Sequence, residues 1–191
     1  LQDQDVSPVV LLTQPDRGPG SDMTGRSLAT MQSMPVDLQP YGWRLSRTSG
    51  IDHRRIDAAL QRDIASLGDA MEEQNISSLQ TIKAQTHGPI SLAAEVHLPN
   101  GEKVVQDSGA TRELAVEQAN GLLEHLQQLA TEYSLTEVTV EVFEASAGSV
   151  LAGTVPTASG FERYRAVDLA VRSSGSTCRS ATPWPMRTAT W

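Results

Sequence analysis

Residues 137–145 read Glu137-Val-Thr-Val-Glu-Val-Phe-Glu-Ala145, and the chain goes on Ser146-Ala-Gly-Ser-Val-Leu-Ala-Gly-Thr-Val-Pro-Thr-Ala-Ser-Gly-Phe161. The first run alternates polar and apolar residues and is rich in valine, which predicts a β-strand over 137–143. Just before it, Gly109–Tyr133 carries Leu114, Ala115, Gln118, Gly121, Leu122, His125, Leu126 and Leu129 as an inward stripe. Glu117, Glu124 and Gln128 fall on the opposite side, so this segment predicts a long amphipathic helix.

The same pattern repeats upstream. Leu79–Gln85 alternates in the manner of a strand and runs into Thr86-His87-Gly88-Pro89, where proline stops further ladder pairing. Asp52 is placed to cap a helix reaching about Gln74, with Ile56, Ala59, Leu60, Ile64, Leu67 and Met71 on one stripe. Val9-Val-Leu-Leu-Thr13 is a short apolar run suited to a buried strand. Turn-forming residues fill 14–22, a short helix is expected over Met23–Met34, and Pro35 and Pro40 bracket a loop containing Tyr41 and Trp43. The order is strand, helix, strand, helix, strand, with crossovers long enough for helices. That order predicts parallel strands with right-handed connections, an α/β architecture.

At 191 residues the chain can build one ordinary core, and its net charge of −8 argues against a nucleic-acid partner. No apolar run reaches 18 residues, no basic stretch leads into an apolar one at the start, and Cys178 is the only cysteine. A reducing cytoplasm is the compartment this suits. Residues 172–191 differ in kind: rich in Ser and Thr, basic, without Asp or Glu, and without periodicity. They are expected to be an irregular tail or the product of a changed reading frame, beyond a domain spanning 1–171.

Several separated motifs resemble one family. Arg17-Gly-Pro-Gly-Ser-Asp-Met-Thr-Gly-Arg26 looks like R-G-P-G-A-D-M-I-G-R, and Met34–Leu45 looks like L-P-V-D-L-Q-P-x-G-W-R-L. Gly88–Ala94 resembles G-P-W-T-L-A-A, and Leu151–Gly160 resembles L-A-G-x-(V/I)-P-T-A-S-G. These are motifs of the actinobacterial branch of the cobalamin-independent methionine synthase family, and the resemblance covers roughly residues 14–171. It implies part of a (β/α)8 barrel, holding three of the eight strands. It also implies a zinc-dependent methyl transfer from methyltetrahydrofolate to homocysteine. Over 90–98, Pro99-Asn100-Gly101 favours a hairpin on local grounds, whereas the resemblance favours a helix.

The resemblance also marks site residues. Where the family strand reads V-x-L-D-E-P, its homocysteine-binding aspartate falls on Phe143 and its proline on Ala145, leaving Glu144 at a barrel strand's C-terminal end as the catalytic candidate. Arg44 falls where the family sets an arginine against methyltetrahydrofolate; its other reading is a pair with a nearby acid such as Asp37. Arg17 and Asp22 lie on a loop that borders homocysteine in relatives. The family's zinc ligands, a His-x-Cys pair, a Glu and a final Cys, lie on later strands and have no counterpart here, so this chain is expected to hold no zinc alone. His53, His87, His97 and His125 share no ligand spacing; they read as surface helix start, strand-end loop, amphipathic edge and helix stripe. Gly18-Pro19-Gly20 opens a helix that can hold an anion, or is simply a turn. The alternative to an enzyme is a non-catalytic half-barrel that associates with a partner, or with itself, through open sheet edges.

Overall fold

The computed structural model describes residues 9–11, 15–73, 81–157 and 159–167. Its centre is a sheet of three parallel strands, β1 (Val9–Leu11), β4 (Thr81–His87) and β5 (Glu137–Phe143), in that spatial order. Ile82 of β4 pairs with Val9 on one side and with Val138 on the other. The helices are α1 (Met23–Ala29), α2 (Ile51–Glu73), α3 (Pro89–Glu95), α4 (Ser108–Glu132) and α5 (Ala147–Ala152). The molecule is therefore mixed α/β, and every connection between parallel strands contains helices, as the sequence pattern requires. Among the described residues the sheet stays open, with no strand beyond β1 or β5.

The two faces of this sheet differ. On β4, Ile82, Ala84 and Thr86 are buried, and Thr86 is met by Ser27 of α1 and Gln118 of α4, which puts both helices on that face. The opposite face carries Lys83 and Gln85, both bonded to Glu141 of β5, at 2.9 and 3.1 Å. Helices thus cover one face, and the other is polar and half-exposed. Leu28 of α1, Met31 just beyond it, Ile56, Leu92, Leu114 and Leu129 fill the core between the helices and the sheet and are almost wholly buried. Each such side chain contributes roughly 1.5–3 kcal/mol by leaving water.

Several element boundaries differ from the sequence reading, each for a local reason. The bracketed loop at 35–45 is an antiparallel hairpin of β2 (Val36–Gln39) and β3 (Gly42–Leu45), which buries Val36 and Trp43. Pro35 precedes the first strand and Pro40 sits in the turn between the two, so neither interrupts a strand. Helix α1 ends at Ala29, five residues before Met34, where the Thr30 hydroxyl turns back onto the Ser27 carbonyl. Asp52 lies inside the first turn of α2 and does not cap it; its carboxylate accepts instead from the Leu38 N–H of the hairpin. Strand β4 runs on to His87, and Pro89 then serves as the first residue of α3, so 89–95 is a helix, while the turn at Pro99-Asn100-Gly101 still folds the chain back, with the Leu98 N–H on the Glu102 carbonyl and the Val104 N–H on the Val96 carbonyl. Asp107, not a residue at 109, caps α4 through the Gly109 and Ala110 N–H groups. The rest of the predicted first strand, Leu12 and Thr13, the start of the second at Leu79, and the tail at 172–191 lie outside the described residues.

Candidate functional site at the C-terminal end of the sheet

Parallel strands bring their C-terminal ends to one edge, and ligands of open α/β sheets gather there. Here β4 and β5 end side by side at His87 and Phe143, and the next residue after β5 is Glu144. Its carboxylate reaches across to the start of α3. It accepts hydrogen bonds from the Ile90 N–H (3.1 Å), the Ser91 N–H (2.7 Å) and the Ser91 hydroxyl (2.7 Å). Ser91 Oγ in turn accepts from the Ser146 N–H at 3.0 Å. Gly88, the N-cap of α3, has no side chain with which to cap the helix itself. A Cβ there would lie 2.2 Å from Glu144 Cδ, so glycine is what lets the carboxylate in. Glu144 thus satisfies the helix start that Gly88 leaves open, and it ties the β5–α5 corner to α3.

A buried polar network lies next to it. Ser27 Oγ donates to the Met23 carbonyl, shares a 2.9 Å hydrogen bond with Thr86 Oγ1, and accepts from the His87 N–H. The Gln118 side-chain amide donates to the His87 carbonyl at 2.5 Å. Gln118 Oε1 and His87 Nδ1 are both buried without a protein partner, and buried polar atoms of this kind are commonly met by ordered water. His87 Nε2 stands 3.5 Å from Glu95 Oε2, and the Thr24 hydroxyl donates to the same carboxylate oxygen. Glu95 closes α3, so α1, β4 and α3 converge on one imidazole and one carboxylate. Such a set can bind or relay a proton.

The remaining candidates are each engaged locally. Asp22 caps α1 by accepting from the Gly25 N–H at 2.7 Å. Arg17 binds Asp63 of α2 at 2.7 Å, and Arg26 pairs with the same aspartate. Arg44 grips Asp37 with two parallel hydrogen bonds of 3.0 and 2.7 Å across the hairpin, where the two residues face each other in register. The hydrogen bond from Arg44 is the main reason the Asp37 carboxyl sits below its ordinary pKa. Arg44 therefore takes the acid-paired arrangement. The turn at Gly18-Pro19-Gly20 is followed by a seven-residue helix already capped by Asp22.

Two of the histidines are more buried than the sequence suggested. His53 is buried, not at the surface, and its pKa is lowered by desolvation. His97 is buried against the Trp43 carbonyl between the hairpin and the 3-10 turn at Val104–Gln106, and burial lowers its pKa as well. His125 has its pKa pushed down to about 4, first by burial and then by the charge of Arg26. Helical spacing marked His125 as inward, whereas the burial of His53 and His97 comes from packing that spacing does not reveal.

The C-terminal motif also finds a structural role. Gly153 ends α5 in a left-handed conformation, and the Tyr164 N–H donates to the Val155 carbonyl, with both side chains buried. Tyr164 accepts from the Lys103 N–H and donates to Glu102. Phe161 projects into solvent, 93 % exposed.

Among the described residues no three His, Cys, Asp or Glu side chains stand close enough together to hold a metal ion. Among these residues no set of side chains fits the zinc that the resemblance implies. Among the same residues no helix is long and apolar enough to cross a membrane. Set against family models, curated proteins and solved structures, the chain gives no match. What fold and site define together is a mixed α/β protein whose parallel sheet presents a carboxylate-capped helix start at its C-terminal edge.

Proposed function

We propose that this chain is a sector of a (β/α)8 barrel of the homocysteine methyltransferase kind, related to the cobalamin-independent methionine synthases, and that it does not complete methyl transfer alone. The observation that carries the reading is the sheet itself. Three parallel strands lie in chain order with helices on one face, and among the described residues the other face is polar and half-exposed. Parallel sheets are ordinarily covered on both faces, and closing the sheet into a barrel would enclose that polar face. Glu144, at the strand end where barrel enzymes carry their chemistry, is occupied in capping α3 and borders a buried polar network. In this reading the sector supplies part of the substrate rim, and a metal-bearing part elsewhere supplies thiolate activation.

The test is zinc content of the purified chain by equilibrium dialysis, with and without homocysteine. The reading predicts no stoichiometric zinc and no homocysteine binding that zinc strengthens. One equivalent of zinc that tightens with homocysteine would overturn it and make the chain a complete site.

A second reading is non-catalytic association through the sheet edge. It is favoured by β5, whose Val142 is 54 % exposed although its partner on β4, Thr86, is buried.

A further inference from the structure

We propose that two copies of this chain pair through the outer edges of their β5 strands, antiparallel, across a twofold axis passing between the two Val140 residues. The proposal deepens the association reading and does not depend on methyl transfer.

The backbone fixes which groups are available. The Phe143 carbonyl accepts from the Gly88 N–H, so Phe143 turns its backbone toward the β4 side. Backbone direction alternates along a strand, so Glu137, Thr139 and Glu141 also face β4, and Val138, Val140 and Val142 present N–H and C=O outward. Among the described residues no strand pairs with that edge. It is seven residues long, ends in no proline, and carries the three valines on one face. An edge of this kind is a template for another strand.

The charges choose the register. Centred on Val140, the pairing sets Val140 against Val140, Val138 against Val142, Thr139 against Glu141 and Glu137 against Phe143. No like charges face each other, and the half-exposed valines form one continuous stripe. Centred on Thr139, the pairing sets Glu137 against Glu141; centred on Glu141, it sets Glu141 against itself. Like charges directly opposite are destabilising, so one register remains over the full strand. The contact is isologous and closes at two copies. Each chain carries −8, so association strengthens as salt screens the repulsion.

The experiment is sedimentation velocity across a concentration series, with three variants. The wild-type mass should rise from 20.6 kDa toward twice that value. Thr139→Glu keeps the strand and sits beside Lys83, yet faces Glu141 of the second copy twice over, so it should weaken association about tenfold. Val140→Lys should leave a monomer. Val140→Cys combined with Cys178→Ser should oxidise to a covalent dimer, because hydrogen-bonded antiparallel pairs hold their Cα atoms about 5.5 Å apart, within disulfide reach. This cross-link decides the matter even if Val140→Lys fails to fold. A wild-type chain that stays monomeric throughout overturns the proposal, as does a dimer that Thr139→Glu leaves unchanged or one that gives no cross-link at position 140. Absence of zinc or homocysteine binding leaves these outcomes untouched, so the two readings fail separately.

Discussion

Glu144 and Gly88 act as one unit: the glycine leaves room, and the carboxylate fills it and caps α3. Glu144→Ala should therefore cost about 1–2 kcal/mol in urea unfolding, the scale of a lost helix cap. Gly88→Ala should cost a similar amount by expelling the same carboxylate. The double variant should then be little worse than either single one, and full additivity would contradict the shared role. His125 supplies a pH signature. Its folded-state pKa of about 4 lies below the unfolded value near 6.5, so the unfolded chain binds more protons between those pH values. Its stabilising contribution is complete above pH 6.5 and is lost as pH falls toward 4, by on the order of 2–3 kcal/mol. His53 and His97 shift in the same sense and add to the slope. Denaturant melts from pH 4 to 7 should show the decline, and His125→Asn should flatten part of it. Little of this was legible in the sequence. A carboxylate 53 residues from Ser91 caps its helix only once β4 and β5 pair, and the burial of His53 depends on packing that no local pattern encodes.

Periodicity reaches furthest at the scale of elements. The stripes of α2 and α4 and the alternation of β5 specified those elements closely, because a long amphipathic segment has few other ways to hide its apolar residues. The hairpin at 36–45 escaped because Pro35 before it and Pro40 in its turn read as loop punctuation, and its two four-residue strands alternate too briefly to be told from a loop. Between helices the limiting feature is steric. A Cβ on Gly121 would lie 2.0 Å from the Thr30 carbonyl oxygen, which is backbone at the end of α1 and cannot swing aside. Gly121→Ala should force α4 away from α1 and destabilise the fold by about 1–3 kcal/mol despite its better helix propensity. Thermal unfolding measures this directly; a neutral or stabilising result would mean that α1 and α4 are not packed as described.

For the whole molecule, the parallel α/β plan was legible from the order of elements, whereas the number of neighbours each edge strand takes was not. Alternation tells which side chains share a face but says nothing about what lies beside a strand. Among the described residues β5 is an edge of the sheet. Amide hydrogen exchange read residue by residue along β5, at low and at high protein concentration, tests this most directly. Slow exchange is expected at Thr139, Glu141 and Phe143 under both conditions, since those N–H groups face β4. Fast exchange is expected at Val138, Val140 and Val142 when the chain is dilute, slowing as it is concentrated. Protection of the three valines at every concentration would show that another part of the same chain covers the edge, and would contradict the account.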